Sequence, residues 1–426
     1  MSDTNLNINL KKVKPSATLV INELSHQLIN EGKEVFRLGF GQSPFPVPNA
    51  IVKALQENAH QKDYLPVKGL FDLRTEIASF FNREYHLQTT YEDVMIGPGS
   101  KELFYNFQVA FAIDELLLPS PSWVSYEPQA QLNNHNVIWL LTEEKNDWKI
   151  YPEDIIKHCI DSPYKKRTII LNYPSNPLGI TYSQEELKQL AKVYERYKIT
   201  VIADEIYGEV HHEGNHQTIA TYYPEGTIIS TGLSKWAGAG GWRLGVFVFP
   251  KNLRYVLDAM SIIASETYTS TSAPIQYAAV EAYKANVSTD IYLKNSRKIL
   301  KAVGLYVFHN LKRIGVTMPK PEGGFYLFPN FNKWKLNLNH RGILTSKDFC
   351  STLLEETGVA LLPGESFGHP KDCFTTRLSY VDFDGNSLLK ILEQNPDSNL
   401  NDEFIEVNCP RIKLAIEKIE AWILSI

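Results

Sequence analysis

Residues 168–208 read TIILNYPSNPLGITYSQEELKQLAKVYERYKITVIADEIYG. Thr168–Asn172 and Thr200–Asp204 are apolar almost throughout rather than alternating, the pattern of strands buried on both faces. Between them lie a turn rich in Pro and Asn and, over Ser183–Tyr197, a helical pattern. Strand, helix, strand is the building unit of a parallel sheet covered by helices.

The rhythm continues on both sides. Val94–Gly97, Glu115–Leu118 and Val137–Leu141 precede the unit, and Thr227–Thr231 and Leu244–Phe249 follow it. The expectation is an α/β fold, with a large domain built on a mostly parallel seven-stranded sheet covered by helices. From about residue 275 the pattern changes to long helices, a few mixed strands and a last helix opening at Pro410. Its apolar face is expected at Leu414, Ile419, Trp422 and Ile423, and this region reads as a smaller α+β domain. Upstream, a polar arm runs to about residue 14, and Ser16–Glu31 reads as a helix carrying Leu19, Leu24, Leu28 and Ile29, stopped by Gly32. Gly and Pro then mark Phe36–Pro48 as a loop. The expected division is 1–45 as an arm joining the small domain, 46–290 as the large domain and 291–426 as the small one.

Composition narrows the function. At 426 residues the chain has ample apolar area for more than one core. A net charge of -5 lacks the basic footprint of a nucleic-acid binder. No apolar run approaches the ~18 residues of a membrane helix. The polar start MSDTNLNINLKK has no h-region, and the 4 cysteines have no CxxC spacing. A cytoplasmic enzyme is the expectation, with neither nucleic acid nor membrane as a partner and no metal.

Open parallel sheets bind ligands beyond the carboxyl ends of their strands, and the unusual residues of this chain fall there. The first strand runs into Gly97-Pro98-Gly99-Ser100-Lys101, a glycine turn feeding a helix N-terminus, which suits an anion. The second is followed by PSPSWVSY, where Trp123 is placed to stack on a planar ligand or to fill the core. The fourth leads to Asn172-Tyr173-Pro174-Ser175-Asn176-Pro177-Leu178-Gly179, a rigid turn able to aim the Asn176 amide. The fifth ends in Asp204-Glu205-Ile206-Tyr207, and a carboxylate in that position requires a cationic partner. The sixth leads to Gly232-Leu233-Ser234-Lys235-Trp236-Ala237-Gly238-Ala239-Gly240-Gly241-Trp242-Arg243-Leu244-Gly245. A desolvated lysine beside cations has a lowered pKa and becomes a nucleophilic amine.

Taken in order, the Asn-Pro-Leu-Gly, Asp-Glu-Ile-Tyr and Ser-Lys…Gly-Trp-Arg-Leu-Gly motifs resemble those of the class I/II aminotransferases, fold-type-I enzymes of the aspartate aminotransferase superfamily. The resemblance covers nearly the whole chain and implies pyridoxal 5'-phosphate as cofactor. It further implies transamination between an L-amino acid and a 2-oxo acid, by a ping-pong route through a lysine aldimine at Lys235. Asp204 would hold the pyridinium nitrogen, Tyr207 and Asn176 the phenolic oxygen, and Trp123 the ring. Arg243, Ser234 and the N–H groups of Ser100 and Lys101 would form the phosphate cup. Tyr64 resembles the tyrosine that reaches the neighbouring subunit's phosphate, which implies a homodimer with shared sites. Arg377, with Asn176 and the backbone of Gly41, would take the substrate α-carboxylate. One departure stands out. The family has a hydroxyl residue three positions before the lysine, where this chain has Gly232, and Thr231 or Thr271 is the candidate replacement.

Three matches are discounted. His212-Glu213-Gly214-Asn215-His216 has the spacing of a zinc-protease motif, but its Gly and Asn are poor helix formers. The glycines at 238–241 precede a strand, whereas a dinucleotide fingerprint follows one. Asn286-Val287-Ser288 is a glycosylation sequon in a chain expected to stay in the cytoplasm. Among activities, a lyase of the aminocyclopropane-carboxylate synthase-like type shares the same motifs, and a cofactor-sensing regulator is disfavoured by the short, polar N-terminal segment. Dicarboxylate-specific relatives carry a second arginine where this chain has Ser265–Ser270 without one. Neutral or aromatic donors are therefore expected ahead of aspartate, unless an arginine such as Arg37 serves instead.

Overall fold

The computed structural model describes residues 8–13 and 17–426, so the beginning of the expected arm and Ser16 lie outside the described residues. Seven strands, β1 (Val94–Gly97), β2 (Glu115–Ser120), β3 (Val137–Leu141), β4 (Arg167–Asn172), β5 (Thr200–Asp204), β6 (Thr227–Gly232) and β7 (Gly245–Val248), form one sheet. Their order is β1-β7-β6-β5-β4-β2-β3. The pairings from β6 through β3 are parallel, and β7 runs antiparallel to both β6 and β1. The reversal at β7 follows from the connection before it. Residues 233–244 form a tight path with only a short 3-10 turn at Gly240–Trp242, too little chain for a helical crossover.

The apolar strands alternate between two helical layers, as the pleat requires. Ile169, Leu171, Val201 and Ala203 pack with Leu187, Leu190 and Tyr194 of the helix Gln184–Arg196. Ile170, Ile202 and Ile228 pack on the other face with Phe104, Phe107 and Leu257. The smaller sheet holds β8 (Tyr326–Leu327), β9 (Leu362–Pro363) and β10 (Thr376–Ser379) in the antiparallel order β8-β10-β9. The helix Val287–Arg313 runs across the expected boundary at 290/291.

Two helical faces differ from expectation. In the C-terminal helix Pro410–Leu424 the buried stripe is Ile412, Ala415, Ile416, Ile419, Trp422 and Ile423, and Leu414 faces outward. In Ala17–Asn30 the buried residues are Ile21, Ser25 and Leu28, while Leu19 and Ile29 are exposed. In both cases the i, i+4, i+7 geometry of the helix selects the stripe, and counting apolar residues alone does not. Among the described residues no helix is long and apolar enough to cross a membrane.

One buried charge cluster ties β2 to β4. The Glu115 carboxylate accepts from Arg167 Nε at 2.7 Å and lies 2.9 Å from His158 Nε2, with Lys165 on its other oxygen. Burial pushes its pKa up, but these hydrogen-bonded partners more than offset that and hold it at about 2. Glu115→Gln leaves the fully buried Arg167 without its counter-charge and is expected to destabilise the fold by about 3 kcal/mol, read by chemical denaturation. Because the folded carboxyl titrates below the ordinary 4.5, the difference between variant and parent is present above that pH and fades as pH falls toward 2.

Candidate active site

The carboxyl ends of β2, β4, β5 and β6 open toward β8 and β10, and the chain's unusual polar residues collect in that gap. Asp204 is the last residue of β5 and is 3% exposed. The Tyr126 hydroxyl donates to its Oδ2, and Oδ1 has no partner. Burial raises its carboxyl pKa to about 6, against the pull of Tyr126, the Ile206 N–H, the Ser230 hydroxyl and the Lys235 charge. Asn172, at the end of β4, donates from Nδ2 to the Asp204 carbonyl at 2.8 Å and accepts the Asn176 N–H at 2.7 Å. That pair fixes the turn carrying Asn176 against the strand carrying Asp204.

Arg377, in the middle strand of the small sheet, is 3% exposed. Its guanidinium donates to Asn176 Oδ1 at 3.2 Å and to the Gly39 carbonyl at 2.7 Å, and Nε has no partner. Tyr326 and Phe367 flank it, with ring centroids 4.7 and 5.3 Å from Cζ. Lys235 donates from Nζ to the Gly41 carbonyl at 2.6 Å. Desolvation, then the neighbouring Arg377 cation, brings its amine down to about 7, while Asp204 opposes the shift. Tyr207 lies beneath it, with its hydroxyl 2.9 Å from that of Tyr326.

At the other end, Gly99 at φ +95° precedes the helix Ser100–Ala110, and a Cβ there would collide with the Arg243 guanidinium. Arg243 in turn donates to the Gly240 carbonyl at 3.0 Å. Free N–H groups and a cation thus share one concave turn. The Trp123 indole sits edge-on to Tyr126 at 5.2 Å, and the Lys101 ammonium lies 5.1 Å from its ring centroid. Ser234 is next to Lys235 in the turn after β6. The structure therefore brings Gly41, Ser100, Lys101, Trp123, Asn176, Asp204, Tyr207, Ser234, Lys235, Arg243 and Arg377 to one place. Tyr64 stands apart and is 88% exposed.

Gly232 has a steric reason. A Cβ there would lie 2.6 Å from the Leu244 carbonyl oxygen, so a hydroxyl-bearing side chain does not fit between β6 and β7. Thr231 lines a separate cavity with Tyr85, Glu205 and Tyr283, whereas Thr271 is buried with an unpartnered Oγ1.

The sequence reading missed Tyr126, Asn172 and Tyr326. Tyr126 closes the PSPSWVSY stretch and Asn172 opens the Asn-Pro turn, so both lay inside quoted motifs. Tyr326 gave no signal beyond an apolar strand. The segment His212–His216 is a turn rather than a helix, and its last histidine has a different partner. His216 Nε2 lies 3.2 Å from Glu205, whose carboxylate also accepts from Tyr173 at 2.8 Å and Thr218 at 2.6 Å.

The donor set fits pyridoxal 5'-phosphate on three counts. A buried carboxylate has one oxygen free, a lysine has its pKa held near neutrality, and a glycine turn is closed by an arginine. Comparison with known proteins agrees. Residues 33–382 match the family model described as aminotransferase class I and II. An aspartate aminotransferase of Geobacillus stearothermophilus is 36% identical over 378 residues, covering 86% of this chain and 92% of its own. An asparagine–oxo-acid transaminase of Streptococcus mutans is 31% identical over 388 residues, covering 89% and 95%. The aspartate aminotransferase of Thermus thermophilus, solved with maleate, superposes with a TM-score of 0.83 at 25% identity over 98% of this chain and 99% of its own. The fold, the ordered motifs and these relatives together make this chain a member of the class I and II aminotransferases, a pyridoxal-phosphate-dependent enzyme that exchanges amino groups between amino acids and 2-oxo acids.

Proposed function

We propose that the cluster around Asp204, Lys235 and Arg377 is the transamination site, with Asp204 as the observation that carries the reading. A carboxylate this deeply buried with one oxygen unpaired is costly, and a protonated ring nitrogen is the partner that removes the cost. The bound cofactor supplies an electron sink for the electrons left when an amino acid loses its α-proton. Lys235 Nζ acts as base and then acid, taking that proton and returning it one position along. Arg377, held by Asn176 and Gly39, presents its fork to the substrate α-carboxylate. Tyr207 and Asn176 would hold the phenolic oxygen, and Trp123 would stack on the ring. Ser100, Lys101 and Ser234 with Arg243 and, in place of a hydroxyl at 232, Thr271 hold the phosphate. The exposed Tyr64 fits a role in the site of a second copy, so the assembly proposed is a homodimer.

Asp204→Asn removes the charge and keeps the shape. On the order of a 10²–10³-fold loss of kcat is expected, measured in single half-reactions with an L-amino acid and no oxo acid. Parent-like rates in that variant, or continuous product release where one half-reaction should stop, would sink this reading.

The lowered Lys235 pKa fixes a pH dependence. The reactive form is the neutral amine, whose population rises with pH up to the folded pKa and is flat above it. Cofactor uptake by the cofactor-free protein, followed by visible absorbance, is expected to rise tenfold per unit below about pH 7 and then level off. An unperturbed lysine would keep rising toward 10.5. In Arg377→Met the midpoint moves upward, because one repelling cation has gone.

For the donor we propose an acidic amino acid of the aspartate type. The relatives named above act on aspartate and asparagine by name, and Lys101 offers a cation other than arginine in the site, over Trp123. Arg37 is not placed for this role. It is exposed and stacked on Phe40, with Cζ 4.9 Å from the ring centroid. The aromatic side chains Trp123 and Phe367 favour the second reading, a neutral or aromatic donor, and an aromatic aminotransferase of Pyrococcus horikoshii superposes with a TM-score of 0.78 at 25% identity, over 94% of this chain and 99% of its own. A kcat/KM for aspartate at least tenfold above those for leucine, methionine and phenylalanine, falling in Lys101→Met, supports the first. The opposite order supports the second.

A further inference from the structure

Tyr326 is fully buried at the start of β8 and touches three parts of the site. Its ring flanks the Arg377 guanidinium at 4.7 Å, its hydroxyl lies 2.9 Å from that of Tyr207, and the same hydroxyl fills the space beside Gly41. A Cβ at Gly41 would stand 2.5 Å from it, so Gly41 is also the residue that leaves Tyr326 room.

A phenol has one proton to donate. If Tyr207 points its proton at the cofactor's phenolic oxygen, as proposed above, the Tyr207–Tyr326 contact is left with one polarity: Tyr326 donates and the Tyr207 oxygen accepts. A hydroxyl that accepts a hydrogen bond becomes a stronger donor itself. We propose that Tyr326 is a positioning residue of this site, which orients the Tyr207 proton toward the cofactor and strengthens its donation, while its ring independently backs Arg377. The inference rests on the cofactor reading of Tyr207. Tyr326 is assigned contact with neither substrate nor cofactor, and the two functions sit on different atoms of one side chain.

The two atoms separate in experiment. Tyr326→Phe keeps the ring and deletes the hydroxyl, and the readout is the pH midpoint of the visible absorbance of the substrate-free holoenzyme. A weaker donor at Tyr207 leaves the cofactor's phenolic oxygen more basic. The midpoint is therefore expected to move up by about 0.3–1 pH unit, the scale of one hydrogen bond, with KM for the donor within about twofold because the ring behind Arg377 remains. Gly41→Ala, which retains Tyr326 but crowds its hydroxyl, is expected to shift the midpoint in the same direction. In a Tyr207→Phe background, itself shifted upward, the Tyr326→Phe change should add nothing. An unshifted midpoint in Tyr326→Phe, or an equal shift in both backgrounds, overturns the proposal while Tyr207 keeps its role. A Tyr207→Phe protein with the parent's midpoint overturns the reading of Tyr207 and the inference built on it.

Discussion

A single carboxylate at the end of an apolar strand sets the terms for everything around it. β5 is buried on both faces, so Asp204 emerges where water does not reach, and an ionised carboxylate in such a place is several kcal/mol too costly unless partnered. Within the chain only half of that requirement is met, because Tyr126 satisfies one oxygen and the other is left open. The surroundings are unbalanced in the opposite sense, since Arg377, Arg243 and Lys101 crowd the Lys235 ammonium and Asp204 is the carboxylate that opposes them. Burial and the other cations bring the Lys235 amine down to about 7. In the assignment proposed above, each part of this imbalance would have a counterpart in the ligands: a phosphate for Arg243 and the helix N-terminus, a substrate carboxylate for Arg377, and a ring N–H for Asp204.

The fold is arranged to hold that imbalance still. Asn172 clamps β4 to the Asp204 carbonyl and then clamps the Asn176 turn, which in turn hydrogen-bonds Arg377 from the second sheet. The route from large sheet to small sheet thus runs through two asparagines and an arginine rather than through a flexible loop. Glu205, the residue that follows β5, points the other way into a separate buried network of Tyr173, His216 and Thr218. Since Tyr173 belongs to the same turn as Asn176, the Asp204 carbonyl and the Glu205 carboxylate brace that turn together.

Much of this was legible in the sequence because the signals are local. Runs such as Thr168–Asn172 announce strands buried on both faces, and Lys235, Asp204 and Asn176 sit in motifs whose residues are neighbours in the chain. What was not legible depends on distant pairings. Tyr126 reaches Asp204 across 78 positions and Tyr326 reaches Tyr207 across 119, and nothing near either tyrosine marks it as polar in function. The direction of β7 is invisible in its apolar pattern and follows only from the shortness of the path before it. Leu414 and Leu19 were misplaced for a related reason, because which apolar residues form the buried stripe is decided by the surface they meet.

The departure at Gly232 follows from the same reversal of β7. Antiparallel pairing sets Gly232 directly opposite Gly245. A Cβ on the first would press the Leu244 carbonyl, and a Cβ on the second would collide with the Ser100 backbone nitrogen. Two strands and a helix N-terminus therefore meet here at backbone contact, closer than any residue with a side chain allows. A hydroxyl at 232 would hold the strands apart and move the helix N–H groups away from Arg243. With glycine at both positions, the backbone of β6, β7 and the Ser100 helix start is brought into close contact. The missing hydroxyl is thus a consequence of tight packing rather than a gap in the site.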